Sequence, residues 1–369
     1  MWIDARGVKI ILASAISNYS TTSKRCSLIF IGVLIMGSRE FRHWVRLEDL
    51  GKLLNQSQEE ITTFCARENI VPRVRRRGQE TDLSVFDTQA RYVMEAAGRA
   101  FPKPAMRIAC MMCKGGVGKT TTAYFLGLRL ASYGARVLFI DADPQANLTS
   151  ALGPESYGFT LGEQSAILLD VLSGQCNPRE AILPLTQHLH LIPSTAVNSL
   201  LERRLLEQGS ASLRELDVAL DSLKDDYNYI IIDCAPSLNL VNASVVCASN
   251  LVLLPIQLDE FSRSGLHLTL SEIFELQQRF EFKTDIRILL NRFNPVEKLS
   301  FLYLGHLAEK YRPLMMQSAI RQSSEIKLSL TLKQDLFRKS KSRAKDDFDG
   351  LAREVMHVPN QGGAFNAKH

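Results

Sequence analysis

Apolar positions fall into two rhythms along the chain. Short continuous apolar runs lie at 108–112, 137–141, 189–192, 229–233, 251–255 and 286–291. Between them, segments such as 120–133, 212–223 and 265–280 carry apolar residues at helical spacing. Continuous apolar runs suit strands buried on both faces, and their alternation with helices predicts an α/β fold. The expectation is a mostly parallel sheet covered by helices on both faces. Phe101-Pro102-Lys103-Pro104 marks a boundary, because two prolines one residue apart do not fit inside a helix. The expected division is a leader over 1–36, a small helical domain over 37–100, a linker over 101–105, the α/β domain over 106–357, and a frayed polar tail over 358–369.

The block before the boundary has its own pattern. Leu50, Leu53 and Leu54 form the apolar face of one helix, and Gly51 permits close packing. Asn55 sits where a sharp turn tolerates a left-handed residue, Ser57 can cap a second helix, and Ile61 and Phe64 pack that helix back on the first. The spacing predicts a helix-turn-helix over Leu47–Cys65, and it also fits an ordinary helical hairpin. In the DNA-binding reading, Gln58 and Thr62 face a groove while Arg73, Arg75, Arg76 and Arg77 form a phosphate-gripping wing. A basic run of this kind also serves as a plain solvated loop.

A second basic stretch, Lys333, Arg338, Lys339, Lys341, Arg343 and Lys345, suits sequence-independent phosphate contact, with Arg321 as an additional contact. It fits equally a solvated linker before a final amphipathic helix built on Phe348, Leu351, Ala352 and Val355. The net charge of +5 permits nucleic-acid binding without requiring it, so the case rests on these local patches.

The length of 369 residues favours two domains, and a 46% hydrophobic fraction supports a sizeable core. Seven irregularly spaced cysteines do not form a disulfide framework and fit a reducing cytoplasm. Cys110 and Cys113 lie beside an apolar run rather than at a helix start, which argues against a redox pair. Lys24, Arg25 and the apolar run 26–36 superficially resemble a signal-peptide core, but the run is too short to span a bilayer. Met36 is the expected natural start, with the preceding segment as upstream sequence.

The strongest chemical signal is Lys114-Gly115-Gly116-Val117-Gly118-Lys119-Thr120-Thr121, between a strand and a helix. Small residues let backbone N–H groups turn towards phosphates, and the helix N-terminus adds partial positive charge. Lys119 reaches the terminal phosphates and the Thr120 hydroxyl can ligate Mg²⁺. The usual first glycine is replaced by Cys113, and an extra lysine, Lys114, precedes the paired glycines.

This Lys-Gly-Gly-x-Gly-Lys-Thr loop resembles the deviant P-loop of the ParA/MinD family. Val137-Leu138-Phe139-Ile140-Asp141-Ala142-Asp143-Pro144-Gln145 resembles the family's second-strand motif, and Tyr229–Asp233 resembles a Walker B strand. The resemblance covers roughly 106–356. It implies a Mg²⁺-dependent ATPase in which Lys114 reaches the phosphates of a partner in an ATP-dependent homodimer. By the same resemblance, Asp143 orients the attacking water, Asp141 supports the Mg²⁺ shell, and Asp233 holds a water on Mg²⁺. The segments containing Pro255 and Asn291 resemble those that cradle base and ribose. Asn291 is then an adenine contact, although a loop asparagine satisfying its own backbone fits as well.

The function implied is DNA partition in a bacterial, nucleoid-associated, cytoplasmic setting. The ATP-bound dimer binds nonspecific DNA and is released on hydrolysis stimulated by a ParB-like centromere-binding protein. The N-terminal domain binds operator DNA as an autorepressor. Alternatives are a nucleotide-sensing transcriptional regulator and a MinD-like positioning ATPase. The polar tail lacks the anchor helix of the latter, so no stable membrane association is expected. An iron–sulfur ATPase needs a second suitably spaced cysteine beside Cys234 or Cys247.

Overall fold

The computed structural model describes residues 43–77, 80–162, 165–339 and 341–360. The expected leader and residues 361–369 of the expected tail lie outside the described residues.

Eleven strands are described: β1 Trp44–Arg46, β2 Arg73–Arg77, β3 Glu80–Phe86, β4 Met106–Cys110, β5 Val137–Asp141, β6 Leu183–Pro184, β7 Leu189–Ile192, β8 Tyr229–Asp233, β9 Leu251–Ile256, β10 Asp285–Phe293 and β11 Met315–Arg321. The last eight form one sheet in the order β11-β10-β9-β4-β8-β5-β7-β6, parallel throughout except for the short β6. Successive residues of the central strands sort into two cores. Ile108, Cys110, Val137, Phe139, Ile231 and Leu253 face a core shared with helices Lys119–Ser132 and Arg343–Met356. Ala109, Leu138, Ile140, Ile232 and Leu254 face the other, shared with helices Leu240–Cys247 and Glu260–Phe280. Burial on both faces is why these strands read as unbroken apolar runs.

The six expected runs match six strands to within a few residues. The edge strand β11 forms no continuous apolar run, since among its seven residues only Met316 and Ile320 are buried. The sequence pattern over 212–223 is realised as a 3₁₀ turn, Gly209–Arg214, followed by helix Glu215–Asp221.

Before the linker, helix Leu47–Leu54 ends on left-handed Asn55 (φ 57°), and helix Gln58–Arg67 begins on Ser57. The Ser57 hydroxyl accepts from Glu60 N–H while the Glu60 carboxylate accepts from Ser57 N–H, which satisfies two otherwise orphaned donors. Gly51 is required here, since a Cβ would lie 2.5 Å from the Gln56 carbonyl oxygen. β2 and β3 form an antiparallel hairpin, β1 pairs with β3, and helix Asp87–Ala96 follows. This module packs on the α/β domain within one compact unit.

One basic residue corrects the sequence reading. Lys345 stands in the stretch expected to meet phosphate, yet it is 1% exposed and pairs with Asp49 at 2.9 Å. It lies on the buried face of the amphipathic helix Arg343–Met356.

Candidate functional site

The P-loop joins β4 to helix Lys119–Ser132 at the carboxyl ends of the parallel strands, where ligands of open α/β sheets bind. Gly118 has φ 94°, and a Cβ there would lie 2.1 Å from Asn291 Nδ2. Glycine is therefore required by both backbone and space. The Asn291 amide donates to Val117 O at 2.7 Å, and the Gln257 amide donates to Gly116 O at 3.0 Å. The ends of β9 and β10 thus brace the loop from beneath. Pro255 is buried within β9, two residues before Gln257. Gly115 and Gly116 are exposed, and a Cβ at either would meet nothing within 4 Å, leaving an open cradle.

Lys119 is buried, with its ammonium 3.4 Å from Lys114 O. Burial lowers its pKa, opposed by Asp233 and Asp143. Thr120 and Thr121 are half-buried in the first turn of the helix. Lys114 turns towards helix Glu260–Phe280. Its ammonium lies 2.7 Å from both carboxylate oxygens of Asp259 and donates to Ser262 Oγ at 3.1 Å. Against the effect of partial burial, these bonds hold the Asp259 carboxyl below its usual range.

Three carboxylates gather at the ends of β5 and β8, where Asp141 and Asp233 are register partners. Asp141 is fully engaged: one oxygen accepts from Thr149 N–H at 2.8 Å and the Thr149 hydroxyl at 2.7 Å, the other from Asp143 N–H at 3.2 Å. Burial pushes its pKa up to about 6, with the Thr149 bonds opposing. Asp143 accepts from Gln145 N–H, and its carbonyl accepts from Ser194 Oγ at 2.7 Å. Ser194 is tied in turn to Thr149 and Asn198. Asp233 is different. It is fully buried, and neither carboxylate oxygen has a well-formed hydrogen bond among the described residues. Burial first, and Asp141 second, push its carboxyl well above the usual range, opposed by the nearby Thr120 hydroxyl and Lys119.

An unpartnered carboxylate near the Lys119 ammonium and the Thr120 hydroxyl fits a hydrated divalent cation carried with a phosphate chain. Among the described residues no group of three or more His, Cys, Asp or Glu side chains could hold a metal.

The structure brings Lys114, Lys119, Thr120, Asp141, Asp143, Asp233 and Asn291 to one end of the sheet, with Lys114 on Asp259 and Asn291 on the P-loop backbone. The pattern of the sequence did not reveal the supporting residues Thr149, Ser194, Asp259 and Ser262. Thr149 lies in helix Asn147–Leu152, Ser194 follows β7, and Asp259 caps the helix that contains Ser262, none at a fixed spacing to the P-loop.

The expected DNA contacts are dispersed. Gln58 is exposed, and the Thr62 hydroxyl donates back to Gln58 O. Arg75 and Arg76 are exposed on β2, which also contains Arg77, and the Arg73 guanidinium lies 5.0 Å from the Trp44 ring centre. Arg321 is clasped by Asp347 at 2.5–3.1 Å, and Lys339 pairs with Glu325 at 3.1 Å. Lys341 and Arg343 are exposed. Cys110 is buried, and burial pushes its thiol well up, which fits a structural role. No described helix is long and apolar enough to cross a membrane.

Comparison with known proteins places this geometry. The AAA domain family profile matches residues 105–288. The sporulation initiation inhibitor protein Soj of Bacillus subtilis is 32% identical over 253 residues, covering 67% of this chain and 97% of Soj. The chromosome partitioning protein ParA of Caulobacter vibrioides is 33% identical over 228 residues, covering 60% of this chain and 83% of that protein. The solved complex of a Cyanothece McdA variant with ATP superposes with a TM-score of 0.63 at 26% identity, covering 69% of this chain and 97% of McdA. With its deviant P-loop and three strand-end carboxylates, the chain belongs to the ParA-type partition ATPases.

Proposed function

We propose that this chain is an ATP-dependent DNA-partition ATPase whose ATP-bound homodimer binds nonspecific DNA and lets go on hydrolysis. ATP and Mg²⁺ are its nucleotide and metal. The observation that carries the reading is the pairing of an open P-loop cradle with the unpartnered Asp233 carboxylate.

Each residue has a distinct task. The backbone of Gly115–Thr121 and the helix N-terminus hold the phosphates, and Lys119 neutralises their charge. Thr120 and Asp233 are the residues positioned to hold Mg²⁺, which supplies charge neutralisation on the phosphate oxygens when bound. Asp143 orients the attacking water. Asp141 acts through Thr149 and the Asp143 backbone, fixing the loop rather than offering a free oxygen. Asn291 braces the P-loop and stands beside the nucleotide. Lys114 leaves Asp259 to meet the phosphates of a second copy. Such chemistry is largely positioning and charge stabilisation, so slow turnover that a ParB-like centromere-binding partner accelerates is expected.

DNA binding is assigned to two surfaces. The wing residues Arg73, Arg75, Arg76 and Arg77, with Gln58 and Thr62, serve operator binding and autorepression. Lys341 and Arg343 serve nonspecific phosphate contact, joined by Lys339 and Arg321 once DNA competes for their acidic partners. The setting is the bacterial cytoplasm and nucleoid.

The test is binding to a random DNA duplex with ATP, ADP or no nucleotide across a salt series. ATP-dependent, salt-sensitive binding that Lys119→Ala abolishes supports the reading. Binding indifferent to nucleotide removes it.

A further inference from the structure

We infer that Asp49 is a positioning residue for the nucleotide site: through its pair with Arg129, the N-terminal module grips the far end of the P-loop helix, so that nucleotide state and the pose of the module are set together. The inference rests on nucleotide binding from the reading above, and on no part of its DNA assignments.

The contact is a buried charge cluster spanning three distant segments. Asp49, in the first helix of the module, is 1% exposed and lies 3.0 Å from Arg129 and 2.9 Å from Lys345. Arg46, just ahead of that helix, completes its surroundings at 3.0 Å. Arg129 is fully buried near the end of helix Lys119–Ser132. It also pairs with Asp349 at 2.6 Å, and Asp349 accepts the Tyr133 hydroxyl. Burial alone would raise the Asp49 carboxyl, but Arg129, Arg46 and Lys345 hold it far below its usual range. Asp49 therefore stays ionised, and withdrawing it takes from Arg129 one of its two carboxylates and from the buried Lys345 ammonium its ion-pair partner. The module and the helix end move together or separate at high cost.

The helix between the two sites cannot easily absorb a shift. Lys119 and Arg129 are ten residues apart, about 15 Å along an unbroken helix. A Cβ on Gly127 would lie 2.2 Å from Phe139 Cζ, so the helix rests flush on β5. Phe125 packs its other side against Phe348, with ring centres 4.9 Å apart, on the helix that supplies Lys345 and Asp349. A close-packed rod transmits small displacements to its end. Ligation of Lys119 and Thr120 at one end is thus read by Asp49 at the other.

The test is amide hydrogen exchange on the full chain without nucleotide, with Mg-ADP and with Mg-ATP. It compares wild type, Lys119→Ala and the double variant Asp49→Asn/Lys345→Met. The double variant removes one charge of each sign, so the cluster keeps its net charge and the fold is spared. In wild type, exchange in both 119–132 and 47–54 is expected to differ between nucleotide states by about fivefold or more, the lower range of allosteric coupling. In the double variant 119–132 should still respond while 47–54 does not, and Lys119→Ala should silence both. A purely structural role for Asp49 would lower protection equally in every nucleotide state. That uniform loss would overturn the inference, as would an unresponsive 47–54 in wild type or a response that survives in the double variant. If residues 119–132 themselves ignore nucleotide in wild type, the nucleotide reading fails and this inference with it.

Discussion

At the amino end of the P-loop helix, Asp233 is buried with both oxygens unpartnered, close to a lysine whose pKa burial depresses. At the carboxyl end, Arg129, Asp49, Lys345 and Asp349 are buried as deeply, and each faces an opposite charge. One helix therefore joins a buried carboxyl without a well-formed hydrogen bond to a cluster whose charges are matched, although Arg129 Nη2 there also lacks a hydrogen bond. Burial pushes the Asp233 carboxyl well above its usual range, so a fold that keeps it there has use for a cationic ligand that would hold it ionised. A compensated cluster holds segments together. The contrast separates a binding site from a junction where burial and residue type alone would not.

The sharpest way to break the comparison is to remove one charge from each end. Arg129→Met takes one cation from Asp49 and the fully buried cation from Asp349, and should lower the unfolding free energy by about 3–5 kcal/mol in urea titrations. Asp233→Asn should leave the stability of the nucleotide-free protein unchanged or raised. Equal losses from both substitutions would erase the distinction.

Next in size is catalysis. Lys119→Ala should reduce ATP turnover by about 10²–10³-fold, typical for removal of one charge-stabilising group. The same variant should unfold at the wild-type urea midpoint, since the Lys119 ammonium bonds to the Lys114 carbonyl rather than to a carboxylate.

Asp141 sharpens the contrast within the nucleotide end, because its oxygens are satisfied while its pKa still rises to about 6. The native carboxyl keeps its proton up to about pH 6, whereas the unfolded one releases it near 3.8. Between those values the native state binds more protons, so this group's contribution to stability falls as pH rises through the window. The contribution amounts to about 3 kcal/mol by linkage. Urea titrations at pH 4.5 and 6.5 should show this pH dependence in wild type and its loss in Asp141→Asn.

The smallest effect concerns the wing. Arg76→Ala should weaken DNA binding uniformly across sequences and reduce the slope of log affinity against log salt by about 1. Arg321→Ala should change that slope less, because its guanidinium is already clasped by Asp347.

Sequence pattern carried the α/β domain because strands buried on both faces must be apolar throughout, and β5 and β8 end abruptly in the carboxylates Asp141 and Asp233. It carried the P-loop because cradle, lysine and threonine are contiguous. The junction was not legible. Asp49 and Arg129 belong to no motif, and Lys345 reads as one more member of a basic run. Each is buried only because the other two, as many as 296 residues away, are buried with it. The bracing of the P-loop by Asn291 and Gln257 was hidden for the same reason, since a side-chain amide aimed at a distant carbonyl leaves no periodic trace.

The central claim, that the nucleotide end is completed from outside the protomer, is tested most directly by sedimentation velocity of Asp143→Ala with Mg-ATP and with Mg-ADP. Blocking hydrolysis should leave a dimer with ATP and a monomer with ADP, and adding Lys114→Ala should return the ATP sample to monomer. A monomer in every nucleotide state, or a dimer indifferent to Lys114, would contradict the account.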